Sequence, residues 1–276
     1  VDMIESPLPN LQTALRRNRR VTVFPASERG GQYWMRFNHS VWPFNDVRVR
    51  RAAMLALAQE DILLAQLGEA ELFRVCNAPL GCGTRFGKEY GDLLVRPNLS
   101  EARRLLRESG YDGRPIVMLN ASEHTLLGQI GPVVKAQLEA AGFRVDLQSL
   151  DWQTVVARRA KMEPIEQGGW NIFFTWTGMS DIIDPSTNGA LGGLGSRSYF
   201  GWPDDPEMER MRDAFMEASD DETKRRIAIA IQDRAVDQAT FAWLGEMRQF
   251  GAYRNDRVRG WMTSDAMVYW NIEKLR

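Results

Sequence analysis

The residues best equipped to hold a ligand fall between Trp176 and Pro185, in the run WTGMSDIIDP. Trp176 offers an aromatic face, Thr177 a hydroxyl, Met179 a pliable apolar arm, and Asp181 and Asp184 carboxylates. A carboxylate in a water-poor cleft makes a charge-assisted hydrogen bond to an amine that no neutral acceptor matches. Two acids beside aromatic rings are also the raw material of a carbohydrate-acting hydrolase. Residues three apart on one loop need not face each other across a bond, so no catalytic residue is assigned. Asp184-Pro185 reads as a structural turn that pins the loop.

These residues sit at the head of a longer stretch, Gly169 to Pro206. It opens as an apolar strand over Asn171–Trp176, the pattern of a strand buried on both faces. About thirty residues rich in Gly, Ser, Asn and Asp follow, and a loop of that length is either functional or disordered. Trp176, Tyr199, Phe200 and Trp202 argue against disorder, because large aromatic rings are costly to leave in water. The stretch is therefore read as a ligand-facing loop fed by a core strand, with Tyr199, Phe200 and Trp202 packing it.

Other chemistries find less support. The two histidines, His39 and His124, are far apart and have no ligand-spaced companions, which disfavours a zinc site or a Ser-His triad. Cys76 and Cys82 bracket a turn-forming NAPLG; their spacing is poor for a metal site, and a small disulfide, implying an oxidising compartment, is favoured over a pair of free thiols. Gly192-Gly193-Leu194-Gly195 directly follows no strand and opens no helix, so it is not a phosphate fingerprint. No metal and no cofactor are expected.

Composition sets the outer bounds. The 276 residues carry 35 Lys plus Arg against 36 Asp plus Glu, a net charge of −1. That balance does not favour nucleic acid or an anionic membrane surface. The arginine runs at Arg16–Arg20 and Arg48–Arg51 read as solvated helix faces. No apolar run approaches the ~18 residues that span a bilayer, so the chain is not expected to cross a membrane.

The remaining elements follow from period and punctuation. A basic helix carries Leu8, Leu11 and Leu15 on one face. Strands are expected at Val21–Pro25 and Tyr33–Asn38, then helices over Asp46–Ala58 and Gln59–Leu67, the second stopping at Gly68. Asn98 caps a helix in a box with Glu101. Strands at Pro115–Leu119 and Phe143–Leu147 flank a helix in which Pro132 marks a kink or a late start. Asp151 caps the next helix, Pro206 starts another, and Asp220 or Asp221 caps a third. Strands at Phe241–Glu246, Gln249–Tyr253 and Val268–Ile272 close the chain. This alternation predicts an α/β fold, a mixed sheet flanked by helices.

Several segments form an ordered series: Phe37-Asn38 with Phe44-Asn45-Asp46-Val47-Arg48-Val49-Arg50-Arg51-Ala52, and Asn98 to Leu106 with Gly110-Tyr111-Asp112-Gly113. Gln137-Leu138 with Gly142 to Leu147, Trp176-Thr177-Gly178 with Asp184-Pro185, and Gly260 with Tyr269-Trp270-Asn271 complete it. Taken in that order, they resemble the family 5 extracellular solute-binding proteins, the peptide- and nickel-type receptors of ABC importers.

The resemblance implies one lobe of a type II periplasmic-binding-protein-like fold. Family members are about twice this length, and residues 40–250 would form the second ligand-binding lobe. Residues 1–39 would be partial lobe-one edge strands and 251–276 return strands to that lobe. The implied partners are a small peptide or similar polar solute and the permease subunits of the transporter, in the periplasm or outside the cell.

In peptide-binding relatives an Asp just after Trp-x-Gly receives the ligand's amine. Here Met179 stands at that position, so either Asp181 takes the role from a shifted backbone or the ligand has no amine there. The loop that in some relatives supplies an Arg to a ligand carboxylate reads Asn120-Ala121-Ser122-Glu123-His124, with Asn120 and Ser122 as possible donors. The ligand-binding set is thus Trp176, Thr177, Met179, Asp181, Asn120 and Ser122. A hydrolase, or an interaction module built on the Met and Trp surface, is the alternative.

Overall fold

In a computed structural model the described residues are 1–7, 11–262, 264 and 268–275. Their centre is a six-stranded mixed sheet of order β4-β8-β3-β7-β5-β6. Its strands are β3 (Gly31–Phe37), β4 (Phe73–Arg74), β5 (Ile116–Ala121), β6 (Val145–Leu150), β7 (Ile172–Gly178) and β8 (Phe241–Met247). β5 is parallel to both β6 and β7, whereas β3 runs antiparallel to β7 and β8. Hence β5, β6, β7 and β8 all point one way. Their carboxyl ends meet the start of β3 along one rim, the place where α/β sheets hold ligands.

β3, β5 and β8 are buried along their whole length, as near-continuous apolar strands covered on both faces should be. Tyr33, Met35, Phe37, Ile116, Phe174 and Trp243 join the helices in one large core. A smaller cluster of Trp170, Phe173, Val117, Leu119 and Trp202 lies apart from it. Helix boundaries follow the caps: Asp46, Asn98, Asp151, Asp205 and Asp220 each accept a first-turn N–H. Pro132 falls in the first turn of a helix that starts at Ile130, where its missing N–H breaks no bond.

A second, three-stranded sheet of order β1-β9-β2 joins β1 (Met3–Ile4), β2 (Val21–Pro25) and β9 (Phe250–Arg254). The division between the two sheets therefore runs near residue 30. β3, grouped by the sequence with residues 1–39, is instead a middle strand of the large sheet, held on both edges by β7 and β8.

Four further expectations change. In the first helix (Gln12–Arg17), Leu11 is exposed and Gln12 is buried, so no leucine stripe faces inward; Leu8 lies outside the described residues. The strand expected from Phe143 begins at Val145, because Gly142 turns at φ +101° and Phe143 is taken into the core. The strand expected over Val268–Ile272 does not form. Val268 makes a single bridge to Met262, Ile272 N–H closes a turn on Tyr269 O, and Trp270 is 93% exposed. Pairing moves to Glu273–Lys274, against Val258–Arg259.

The arginine run Arg48–Arg51 is not wholly a solvated face. Arg50 is buried and donates to the carbonyls of Phe44, Gln238 and Ala239, closing the carboxyl end of the helix Asp221–Asp237.

Candidate functional site

At the rim where β7 and β8 end and β3 begins, the backbone is crowded. A Cβ on Gly30 (φ +73°) would stand 2.0 Å from Met247 O, and one on Gly31 would stand 2.7 Å from Thr177 O. Only glycine lets β3 enter between the two strand ends. In front of this rim opens a cleft of about 1090 Å³, walled by the end of β8, the loop after β7, residues 82–86 and the segment between β2 and β3.

The cleft is charged and lined in part by sulfur and hydrocarbon. Arg16, Arg29, Arg74, Arg85 and Arg248 line it with Glu28, Glu71, Asp184 and Glu246, while Met179, Ile183, Phe86 and Met247 supply apolar surface. Arg74 Nε donates to Glu246 Oε2 at 2.7 Å. Arg16 lies 3.9 Å from Glu71 and over the Phe250 ring. Glu246 is only 4% exposed, and burial raises its carboxyl above the ordinary glutamate range although Arg74 and the Cys82 N–H pull it the other way.

The loop after β7 enters the cleft through Met179, which is buried and begins a short 3-10 turn over Met179–Asp181. Of the acids Asp181 and Asp184, the second lines the cleft and the first does not. Asp184 also builds the turn: its Oδ1 accepts from the N–H and the hydroxyl of Ser186, and its carbonyl accepts from Thr187 and Asn188 N–H groups. Arg212 locks the following residues by donating to Pro185 O and Ser186 O. Asp181 is exposed, outside the cleft lining, and accepts from the Thr177 hydroxyl at 3.2 Å.

Trp176 and Thr177 are half-buried on β7 beside β3 and also lie outside the lining. Asn120 lies deeper in the fold. It is 1% exposed, its amide donates to Gly128 O, and a Cβ on Gly131 would meet it at 2.6 Å. It sits on β5 under the helix Ile130–Ala140, outside the cleft lining. Ser122 is exposed beyond the end of β5, tied by its N–H to Leu150 O. Of the expected ligand set, only Met179 lines the cleft.

Cys76 and Cys82 are joined in a disulfide, Cα atoms 5.7 Å apart. Both come within 4.8 Å of Glu246, but bonded sulfurs have no thiolate to offer a metal. His39 contacts Thr240 O, and His124 stacks at a tilt on Trp152; neither approaches the cleft lining. The sequence reading missed Glu246 and Arg74. Their signals were a lone acid inside the apolar run FAWLGEM and a lone Arg beside the first cysteine.

Farther along, a buried cation clamps the long loop at two points. Arg36, on β3, is fully buried, donates to Ala190 O at 3.0 Å and Phe200 O at 3.2 Å, and lies against the Tyr199 and Phe241 rings. Burial lowers its guanidinium pKa to about 10.

The model for bacterial extracellular solute-binding proteins, family 5, middle region, matches residues 1–197. A "probable peptide ABC transporter periplasmic-binding protein", y4tO of Sinorhizobium fredii, is 25% identical over 276 residues, covering 99% of this chain and 52% of the relative. The chain thus spans about half the length of that relative. Among solved structures, NikA of Staphylococcus aureus, in complex with nickel and histidine, superposes with a TM-score of 0.80 at 15% identity, over 100% of this chain and 57% of its own. DppA of Helicobacter pylori, in complex with a peptide, gives 0.78 at 17% identity, over 99% and 52%. At those identities the structural likeness establishes the fold.

Proposed function

The chain belongs to the bacterial extracellular solute-binding proteins of family 5, and from that premise we propose that it forms one ligand-facing lobe of a receptor that captures a small peptide or similar polar solute for an ABC importer. The observation that carries this reading is the cleft itself. It lies at the carboxyl ends of β7 and β8 and pairs apolar side chains with charges of both signs. A dipolar solute with a hydrocarbon middle finds there a partner for each part. Asp184, with one carboxylate oxygen engaged by Ser186, is the acceptor we assign to a solute amine, and the arginines are the donors for its acidic end.

The chain supplies one wall, and a second lobe closing on it by hinge motion would complete the enclosure. The solute is bound and handed to permease subunits outside the cytoplasmic membrane, and no bond in it is made or broken. Among the described residues no helix is long and apolar enough to cross a membrane.

Two measurements test this. Native mass spectrometry of the full-length receptor, purified without denaturation, should find a retained peptide-like solute. Calorimetric titration of the lobe alone should find weak binding or none. Turnover of a candidate peptide or sugar, or micromolar peptide affinity of the lobe by itself, would overturn the reading.

A further inference from the structure

The cleft wall at residues 81–84 has an unusual attachment. Neighbouring points are held elsewhere: Leu80 is buried in the core, the side chain of Gln32 donates to Ala78 O, and that of Gln232 to Phe86 O. Between them Gly81, Cys82, Gly83 and Thr84 belong to no helix or strand. Gly81 and Thr84 bond only to chain neighbours, at Ala78, Leu80 and Gly87; among the described residues, the polar ties from this segment to distant parts of the chain are made at Cys82. Its N–H donates to Glu246 Oε1 at 3.0 Å, and its carbonyl accepts from Arg74 Nη2 at 2.8 Å. Its sulfur is bonded to Cys76, whose own backbone is fixed on both sides by Gln59.

The same wall supports the loop after β7. A Cβ on Gly81 would stand 2.2 Å from Met179 Cε, so the residue next to Cys82 packs directly on Met179. Access is one-sided: Cys76 is 1% exposed, whereas Cys82 is half-buried and lines the cleft.

We propose that the Cys76–Cys82 disulfide is a thiol-sensitive latch on the cleft wall, whose reduction frees residues 81–84 and loosens the seat of Met179. The step is thiol–disulfide exchange with a dithiol. One thiolate of the reductant attacks the Cys82 sulfur through the cleft, and the Cys76 sulfur leaves as a thiolate and takes up a proton. The second thiol of the reductant then displaces Cys82 from the mixed disulfide. The reductant ends as its own disulfide, two electrons having passed to the protein. With the seven-residue ring open, Cys82 keeps only its contacts to Glu246 and Arg74, on a carboxylate whose burial already disfavours its charge. The consequence for solute affinity, a fall on reduction, rests on the function proposed above.

The test is hydrogen exchange with mass-spectrometric readout of the peptide spanning residues 79–88, on this chain, with and without dithiothreitol. Three amides report: Gly81 N–H on Ala78 O, Cys82 N–H on Glu246, and Gly87 N–H on the Thr84 hydroxyl. Reduction should speed their exchange by about tenfold or more, while β5 and β6 stay unchanged. A Cys76→Ser/Cys82→Ser variant should exchange at the fast rate with or without reductant. Unchanged exchange in protein whose two free thiols are verified by maleimide mass addition overturns the latch, whether or not the double variant folds. A loosened wall with unaltered solute affinity in the full-length receptor overturns the control of binding. If no solute binds in either redox state, the function proposed for the cleft fails, and the exchange result still decides the latch.

Discussion

Arg36→Met isolates what holds the long loop after β7. Methionine keeps most of the side-chain length in the slot between Tyr199 and Phe241, but it removes the charge and the donors to Ala190 O and Phe200 O. Burial lowers the guanidinium from its ordinary value to about 10. At ~1.4 kcal/mol per pKa unit, holding the charge there costs about 3 kcal/mol near neutral pH. Against this stand two charged hydrogen bonds at ~1.5–3 kcal/mol each, and ring contacts of ~0.5–2 kcal/mol. The substitution removes both sides of that balance and leaves two carbonyls unpaired, the one at Ala190 buried and the one at Phe200 partly so. The expected loss is about 2–4 kcal/mol of global stability.

Urea unfolding followed by tryptophan fluorescence reads the global loss, and hydrogen exchange of residues 186–204 reads the loop. The local effect should exceed the global one, because the carbonyls that Arg36 holds both belong to that loop. Arg36→Lys should recover part of it: an ammonium keeps the charge but not the planar fork that serves two carbonyls while stacking on a ring. A methionine variant with the wild-type midpoint and wild-type loop exchange would refute the reasoning. It would mean that the desolvation cost cancels the clamp and that the loop is held by its aromatic packing.

Three further outcomes follow from the same geometry. Gly81→Ala forces a Cβ against Met179 at φ +85° and should cost about 1–3 kcal/mol; adding Met179→Ala should return part of it in thermal melts, and strict additivity would deny the contact. Burial and the nearby Arg50 charge lower the His39 imidazole well below its ordinary 6.5. The unfolded chain then takes up that proton first, so its contribution to stability is whole above pH 6.5 and lost as pH falls towards the folded value, by up to ~1.4 kcal/mol per pH unit. Chemical denaturation between pH 7.5 and 5 should show this slope, and His39→Gln should remove it. In the full-length receptor, Asp184→Ala should weaken amine-bearing solutes by about 1.5–3 kcal/mol and Asp181→Ala by less; calorimetry showing the larger loss at Asp181 would reverse the assignment.

The sequence carried the elements better than their edges. Strands such as Val21–Pro25 and the five capped helices were legible because an apolar period and a capping side chain are local signals. The boundary between the two sheets was not, because β3 looks the same whichever sheet it joins. Only its pairing with β7 and β8 decides. The final strand failed for a related reason. Val268 to Ile272 has the composition of a strand, yet strand composition expresses packing against neighbours, and Trp270 has no covering neighbour.

The site was half legible, and the missing half explains the rest. The stretch after Trp176 does reach a cleft, but through Met179 and Asp184 rather than Asp181. A one-turn 3-10 segment over Met179–Asp181 leaves Asp181 outside the lining while Asp184, three residues on, joins it, and no local pattern announces that turn. Asn120 was expected at the ligand because its segment, with the strand read as ending at Leu119, matches the loop that supplies an Arg in some relatives. The structure aims it instead at Gly131 under a helix, where only a glycine leaves room. The wall beside the loop joins Arg74 and Cys82 to Glu246, far from both in sequence, through one buried carboxylate. A single acid within an apolar strand is costly unless it is paired, so FAWLGEM was itself evidence of a cation and a donor waiting in the fold. That residue, rather than the acid-rich loop, ties the disulfide to the cleft.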